Sequence, residues 1–79
     1  MTTTMTTELR VELARRMSAE LGQQVDPEEI DITAAVVSRT GGVLYEGHLG
    51  TIKTRVGVGP EGSVSYRIQF GPNGPSTEV

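Results

Sequence analysis

Thr51-Ile-Lys-Thr-Arg-Val-Gly-Val-Gly-Pro-Glu-Gly-Ser-Val-Ser-Tyr-Arg-Ile-Gln-Phe70 is the stretch that decides the fold. It alternates with period two on both sides of a Gly-Pro-Glu-Gly centre, the pattern of two half-buried strands joined by a turn. Ile52, Thr54, Val56 and Val58 share one side of the first arm, and Val64, Tyr66, Ile68 and Phe70 share one side of the second. All are even-numbered, so facing residues must have numbers with an even sum. A three-residue loop, Pro60-Glu61-Gly62, satisfies this. It sets Gly59 opposite Ser63, Val58 opposite Val64, Val56 opposite Tyr66, Thr54 opposite Ile68 and Ile52 opposite Phe70. Pro at the second turn position and Gly at the left-handed position suit such a loop. The other face then carries Lys53 opposite Gln69, Arg55 opposite Arg67 and Gly57 opposite Ser65. Like charges directly opposite repel, so the Arg pair needs solvent or an anionic group above it.

Working outward, the preceding residues pose a parity problem. Val43, Tyr45 and Leu49 are odd-numbered, whereas the inner set of 52–58 is even-numbered. One residue must be absorbed near Gly50. The reading adopted is one long strand over 43–58, bent or bulged at Gly50; a short turn there, making four strands, is the alternative. Ile30 to Arg39 forms the first strand, with Ile32, Ala34 and Val36 inward. A Gly41-Gly42 turn pairs Ser38 with Tyr45, Val36 with Gly47 and Ala34 with Leu49. Gly71-Pro72-Asn73-Gly74-Pro75 ends the last strand, and residues 71–79 read as a flexible tail.

Upstream, Leu9, Leu13, Met17 and Leu21 recur every four residues, with Ala14 beside them, and predict an amphipathic helix over 8–21. Thr7 is the expected N-cap and Gly22 the expected C-cap. Glu12 and Arg16 are spaced for an i, i+4 ion pair. Arg10, Arg15 and Arg16 read as solvated charges. Asp26-Pro27-Glu28-Glu29 has the form of a cap followed by one helical turn. Together with Asp31 its acids do not have the spacing of a calcium loop, so no metal site is expected. Residues 1–7, Thr-rich and aperiodic, read as a flexible leader. The fold class is therefore α+β: one N-terminal helix on a three-stranded, alternatively four-stranded, antiparallel meander spanning 8–70, with uncovered strand edges.

Composition bounds the function. The 79 residues carry 35% hydrophobic and 4% aromatic side chains and no Cys. So small a core with no disulfide has little stability in reserve, which makes a partner or self-association an expectation. Net charge is −3, unsuited to a nucleic-acid binder working by charge alone. Yet residues 1–31 hold three Arg against seven acids, while 51–70 hold Lys53, Arg55 and Arg67 against Glu61. No apolar run approaches the roughly 18 residues of a membrane span. Nor is there a signal-peptide pattern, so a cytoplasmic, non-membrane protein is expected.

Motifs for catalysis are missing. Gly57-x-Gly59-x-x-Gly62-x-Val64 fits the spacing of the protein-kinase glycine loop. None of the downstream kinase residues follows, and Pro60 before a strand excludes a dinucleotide turn. Leu21-Gly-Gln-Gln-Val-Asp-Pro-Glu-Glu-Ile30 resembles the helix end and loop of carrier-protein domains, but their four-helix pattern and prosthetic-group serine do not follow. His48 is the single histidine. No nucleophile, base and orienting group come together in the sequence, so neither an enzyme nor a cofactor is expected. The candidate binding residues are Lys53, Arg55, Arg67, Gln69 and His48 on the sheet face away from the helix. A protein partner is the first expectation, as for a small inhibitor or adaptor of phage or mobile-element style, anti-CRISPR inhibitors included, by size alone. A nucleic-acid or phosphate-binding accessory using the same face is the alternative, although the aromatics point inward, away from any stacked base. A structural subunit that oligomerises through its edges is the third reading.

Overall fold

The computed structural model describes residues 5–79. Within them the order is α1 (Thr7–Leu21), a 3-10 turn (Pro27–Glu29), β1 (Asp31–Val37), β2 (Val43–Leu49), β3 (Ile52–Val58), β4 (Val64–Phe70) and β5 (Ser76–Glu78). The strands form one antiparallel sheet in sequence order, with the helix on one face. The α+β class and the meander stand, but with five strands instead of three or four.

The helix follows its sequence signals closely. Leu13 and Met17 are fully buried and Ala14 nearly so, while Leu9 and Leu21 pack at the margins of the core. The N-cap is Thr6, one residue before the expected Thr7; its hydroxyl accepts from the Leu9 N–H at 3.2 Å. Met5, just before the cap, is buried in the core, so the end of the expected leader is tied down. Met1 to Thr4, the rest of it, lie outside the described residues. Gly22 closes the helix, its N–H donating to the Ser18 carbonyl at 3.0 Å. Asp26 caps the 3-10 turn by accepting from the Glu28 N–H at 3.0 Å.

The β3–β4 hairpin has the register that parity demanded, from Val58 opposite Val64 to Ile52 opposite Phe70. Gly59 and Ser63 close the loop, with the Gly59 N–H donating to the Ser63 carbonyl at 2.7 Å and Gly62 at φ 96°.

Three sheet expectations are corrected. Residues 43–58 are not one bent strand. β2 and β3 are separate and pair from Val43 with Val58 to Leu49 with Ile52. The two-residue Gly50-Thr51 turn resolves the parity conflict, because a loop of even length pairs odd with even numbers. Gly50 takes the positive φ (61°) that a tight hairpin wants at its first central position.

The first hairpin also has a different register. Ser38 opposes Gly42, its N–H donating to the Gly42 carbonyl at 2.7 Å, around the three-residue loop Arg39-Thr40-Gly41. Gly41, at φ 95°, plays the part that Gly62 plays in the third hairpin. Gly42 answers a different need: a Cβ there would lie 3.0 Å from the Val58 carbonyl oxygen. Val37 therefore faces Val43, Val36 faces Leu44 and Ala35 faces Tyr45. A bulge between Ile32 and Ala34 absorbs one residue, so Ile32 stays inward while Ala34 and Val36 turn to the opposite face.

The third correction concerns residues 71–79. Instead of a flexible tail, Ser76–Glu78 pairs with Gln69, Ile68 and Arg67, and the Val79 N–H donates to the Tyr66 carbonyl at 3.0 Å.

The core lies between the helix and the inward face of the sheet. Tyr45, Val56 and Tyr66 form the central row; Gly47, Thr54 and Ile68 form the next, with Val25 and Ile30 closing the side. Gly47 is where the sheet is tightest. A Cβ there would meet the Asp31 carbonyl oxygen at 2.6 Å and the Ile32 side chain at 2.9 Å.

Candidate protein-binding face

Alternation along four seven-residue strands leaves a second face that the helix does not cover. Register defines its rows. One runs Ala34, Glu46, Arg55, Arg67, Glu78; the next runs Asp31, His48, Lys53, Gln69, Ser76. The five candidate residues Lys53, Arg55, Arg67, Gln69 and His48 are thus brought together on one surface. Arg55, Arg67 and His48 are exposed, and Lys53 and Gln69 are half-buried.

Acids flank these residues, which the sequence reading did not include in the patch. Glu46 sits opposite Arg55 from β2, with Arg55 Nε 3.5 Å from Glu46 Oε1. Glu78 sits opposite Arg67 from β5. Asp31 sits opposite His48 from β1. The facing Arg55 and Arg67 therefore occupy the middle of a Glu-Arg-Arg-Glu row. The flanking carboxylates reduce the repulsion between two like charges held side by side, and they shorten the reach of the positive field. Glu46 was within reach of sequence reasoning, since it shares the face with His48. Glu78 was not, because nothing marked residues 76–78 as a strand.

Toward the hairpin tips the same face becomes apolar and concave. Val36, Leu44, Gly57 and Ser65 form its row. Gly57, lacking a side chain, lowers the floor between Leu44 and Ser65. At this end an open groove of about 570 Å³ is lined also by Ser38, Thr40, Pro60 and Val64. Val36 and Leu44 are both exposed. The face thus joins a charged half to an apolar half.

Two of the helix arginines, Arg10 and Arg16, serve the fold instead of standing free in solvent. Arg10 Nη1 donates to the Ile30 carbonyl at 2.8 Å, tying the helix to the entry of β1. Arg16 lies over the Tyr66 ring at 4.5 Å, bonds Glu12 Oε1 through Nε at 2.9 Å, and donates through Nη1 to the Val79 carbonyl at 2.8 Å. Arg15 pairs with the same Glu12 on the exposed side. Hydrogen bonds from Arg15 and Arg16 hold the Glu12 carboxyl at about 2, below its usual 4.5. Burial chiefly, with Glu12 nearby, pushes the Tyr66 phenol above its usual 10.0.

Among the described residues, no three Asp, Glu or His side chains converge as metal ligands would, and no helix is long and apolar enough to cross a membrane. No protein-family model, curated protein or solved structure matches the chain.

Proposed function

We propose that this protein is a small non-enzymatic binding module, of inhibitor or adaptor type, that docks a protein partner on the uncovered sheet face. One observation carries the reading: an apolar groove beside a Glu46-Arg55-Arg67-Glu78 row on a single sheet. Apolar area next to a pattern of both charge signs suits a protein surface, where burial contributes affinity and charge pattern selects the partner. A nucleic-acid backbone, uniformly negative, would meet Glu46 and Glu78 as repulsive neighbours.

The test is capture from the native host on the immobilised chain, with protein and nucleic acid both measured in the eluate. Arg55→Glu with Arg67→Glu, its fold checked by circular dichroism because it lines up four acids across the sheet, is the comparison variant, and Arg55→Gln with Arg67→Gln replaces it if it unfolds. Retention of a protein by the native chain and its loss from the double variant is the expected result. A partner set unchanged by the double variant overturns the reading. Retention of DNA or RNA that falls steeply with salt favours the nucleic-acid alternative instead.

A further inference from the structure

Gly71-Pro72-Asn73-Gly74-Pro75 joins β4 to β5. Asn73 is the chain's single asparagine. It is exposed, and its backbone lies outside the left-handed region. Its side-chain amide enters no hydrogen bond among the described residues, and the Gly74 N–H makes none of ordinary geometry.

The fold itself fixes glycine at 74. A Cβ there would collide with the Phe70 carbonyl oxygen, and that atom belongs to backbone that cannot swing aside. The missing side chain has a chemical consequence as well. Nothing on the Gly74 Cα hinders its nitrogen from approaching Asn73 Cγ. The geometry that closes the turn therefore carries with it the least hindered partner for attack of the main chain on an asparagine side chain.

We propose that Asn73 is a site of spontaneous deamidation, and that its isoaspartyl product releases β5. The Gly74 nitrogen bonds to Asn73 Cγ and gives up its proton, the Cγ–Nδ2 bond breaks, and ammonia leaves a succinimide ring. Water then opens the ring. Breaking the bond from nitrogen to Cγ gives aspartate. Breaking the bond from nitrogen to the main-chain carbonyl carbon gives isoaspartate, whose main chain runs through Cβ and Cγ and is longer by a methylene. Water is the only co-reactant, and nothing is oxidised or reduced.

The added methylene falls where Gly74 already presses on the Phe70 carbonyl. β5 has little to hold it against that change. It pairs on one side only, through Ser76, Thr77 and Glu78, and is anchored beyond them by the Val79 bonds to the Tyr66 carbonyl and to Arg16. Its release takes Glu78 from opposite Arg67 and uncovers the edge of β4.

Ageing the native chain at physiological pH and temperature tests this. Digestion after Arg67 isolates Asn73 in the fragment 68–79. Mass spectrometry should show NH2 replaced by OH in that fragment, and an isoaspartyl-specific methyltransferase should label it. Asn73→Ser should stay unlabelled. In the isolated isoaspartyl chain the Thr77 and Val79 amides should lose their exchange protection, while Thr54 and Val56 keep theirs. Asn73→Asp, which has the new charge without the methylene, should retain β5. An Asn73 that stays intact in the folded chain while the free peptide 68–79 converts overturns the site. So does a product that is aspartate alone. Native protection of Thr77 and Val79 in the isoaspartyl chain, or an equal loss in Asn73→Asp, overturns the release of β5.

Discussion

The guanidinium of Arg16, on the third turn of the helix, lies 4.5 Å from the centroid of the Tyr66 ring and donates 2.8 Å to the carbonyl of Val79. One side chain thus joins the helix, the central strand pair and the C-terminal strand. Arg16→Ala removes a cation–π contact and a charge-assisted hydrogen bond from a half-buried site. The expected loss is about 1–2 kcal/mol. Amide exchange at Thr77 and Val79 should rise more than at Thr54 or Val56, which pair with β2 in the middle of the sheet, because β5 is held on one side only.

The tight approach at Gly47 predicts a larger penalty from a smaller change. The Cβ of Gly47→Ala would fall against the Asp31 carbonyl oxygen and the Ile32 side chain, and backbone cannot rotate away as a flexible side chain can. A destabilisation of about 1–3 kcal/mol is expected in chemical denaturation. The same substitution at Gly57 meets only the Ser65 hydroxyl, at 3.1 Å, and should cost less.

Gly50 makes a backbone prediction. At φ 61° with open space around it, Gly50→Val should cost at least about 1 kcal/mol through conformation alone. Gly50→Asn should cost less, since Asn tolerates the left-handed region. Equal melting temperatures for the two variants would contradict the turn geometry.

Acid stability follows from Glu12. Its folded pKa of about 2 lies below the usual 4.5, because Arg15 and Arg16 hydrogen-bond the ionised carboxylate. The unfolded chain therefore binds a proton first as pH falls. The stabilisation is fully present above about pH 4.5 and is lost progressively toward pH 2. Glu12→Gln should flatten the pH dependence of stability across that window. Tyr66 acts at the opposite end. With its folded pKa raised above 10.0, mainly by burial, stability should decline as pH rises past that value, and Tyr66→Phe should remove this part of the decline.

Across the outer face, the Arg55–Glu46 pair at 3.5 Å is solvent-exposed. A double-mutant cycle should return a coupling of only about 0.2–1 kcal/mol, shrinking as salt rises. Its weakness in the free chain would leave both groups available to a partner.

Much of the fold was legible because the relevant forces are local. A four-residue apolar recurrence made the helix, and two runs of alternation around Pro60-Glu61-Gly62 set the third hairpin to the residue. Parity also exposed a conflict at Gly50, yet parity alone admits both a bulge and an even-length turn. What decides is whether β2 can lie back along β3 for its whole length, a matter of tertiary packing. The Thr33 bulge was hidden for the same reason: Ala34, Ala35, Val36 and Val37 are apolar on both sides, so alternation carries no information about which face is inward. Lys53, Arg55, Arg67, Gln69 and His48 share the face that alternation assigned them, but Glu78 joins that face only through β5. Ser76, Thr77 and Glu78 have no apolar period; they become a strand because Arg16 and the Tyr66 carbonyl hold Val79 in place. By itself, then, the sequence determined the helix, the β3–β4 register and the clustering of Lys53, Arg55, Arg67 and Gln69 on one face. Only the tertiary structure decided the strand number, the inward face of β1 and the acids that flank the arginines. Those depend on contacts between residues far apart in the chain, which no local pattern encodes.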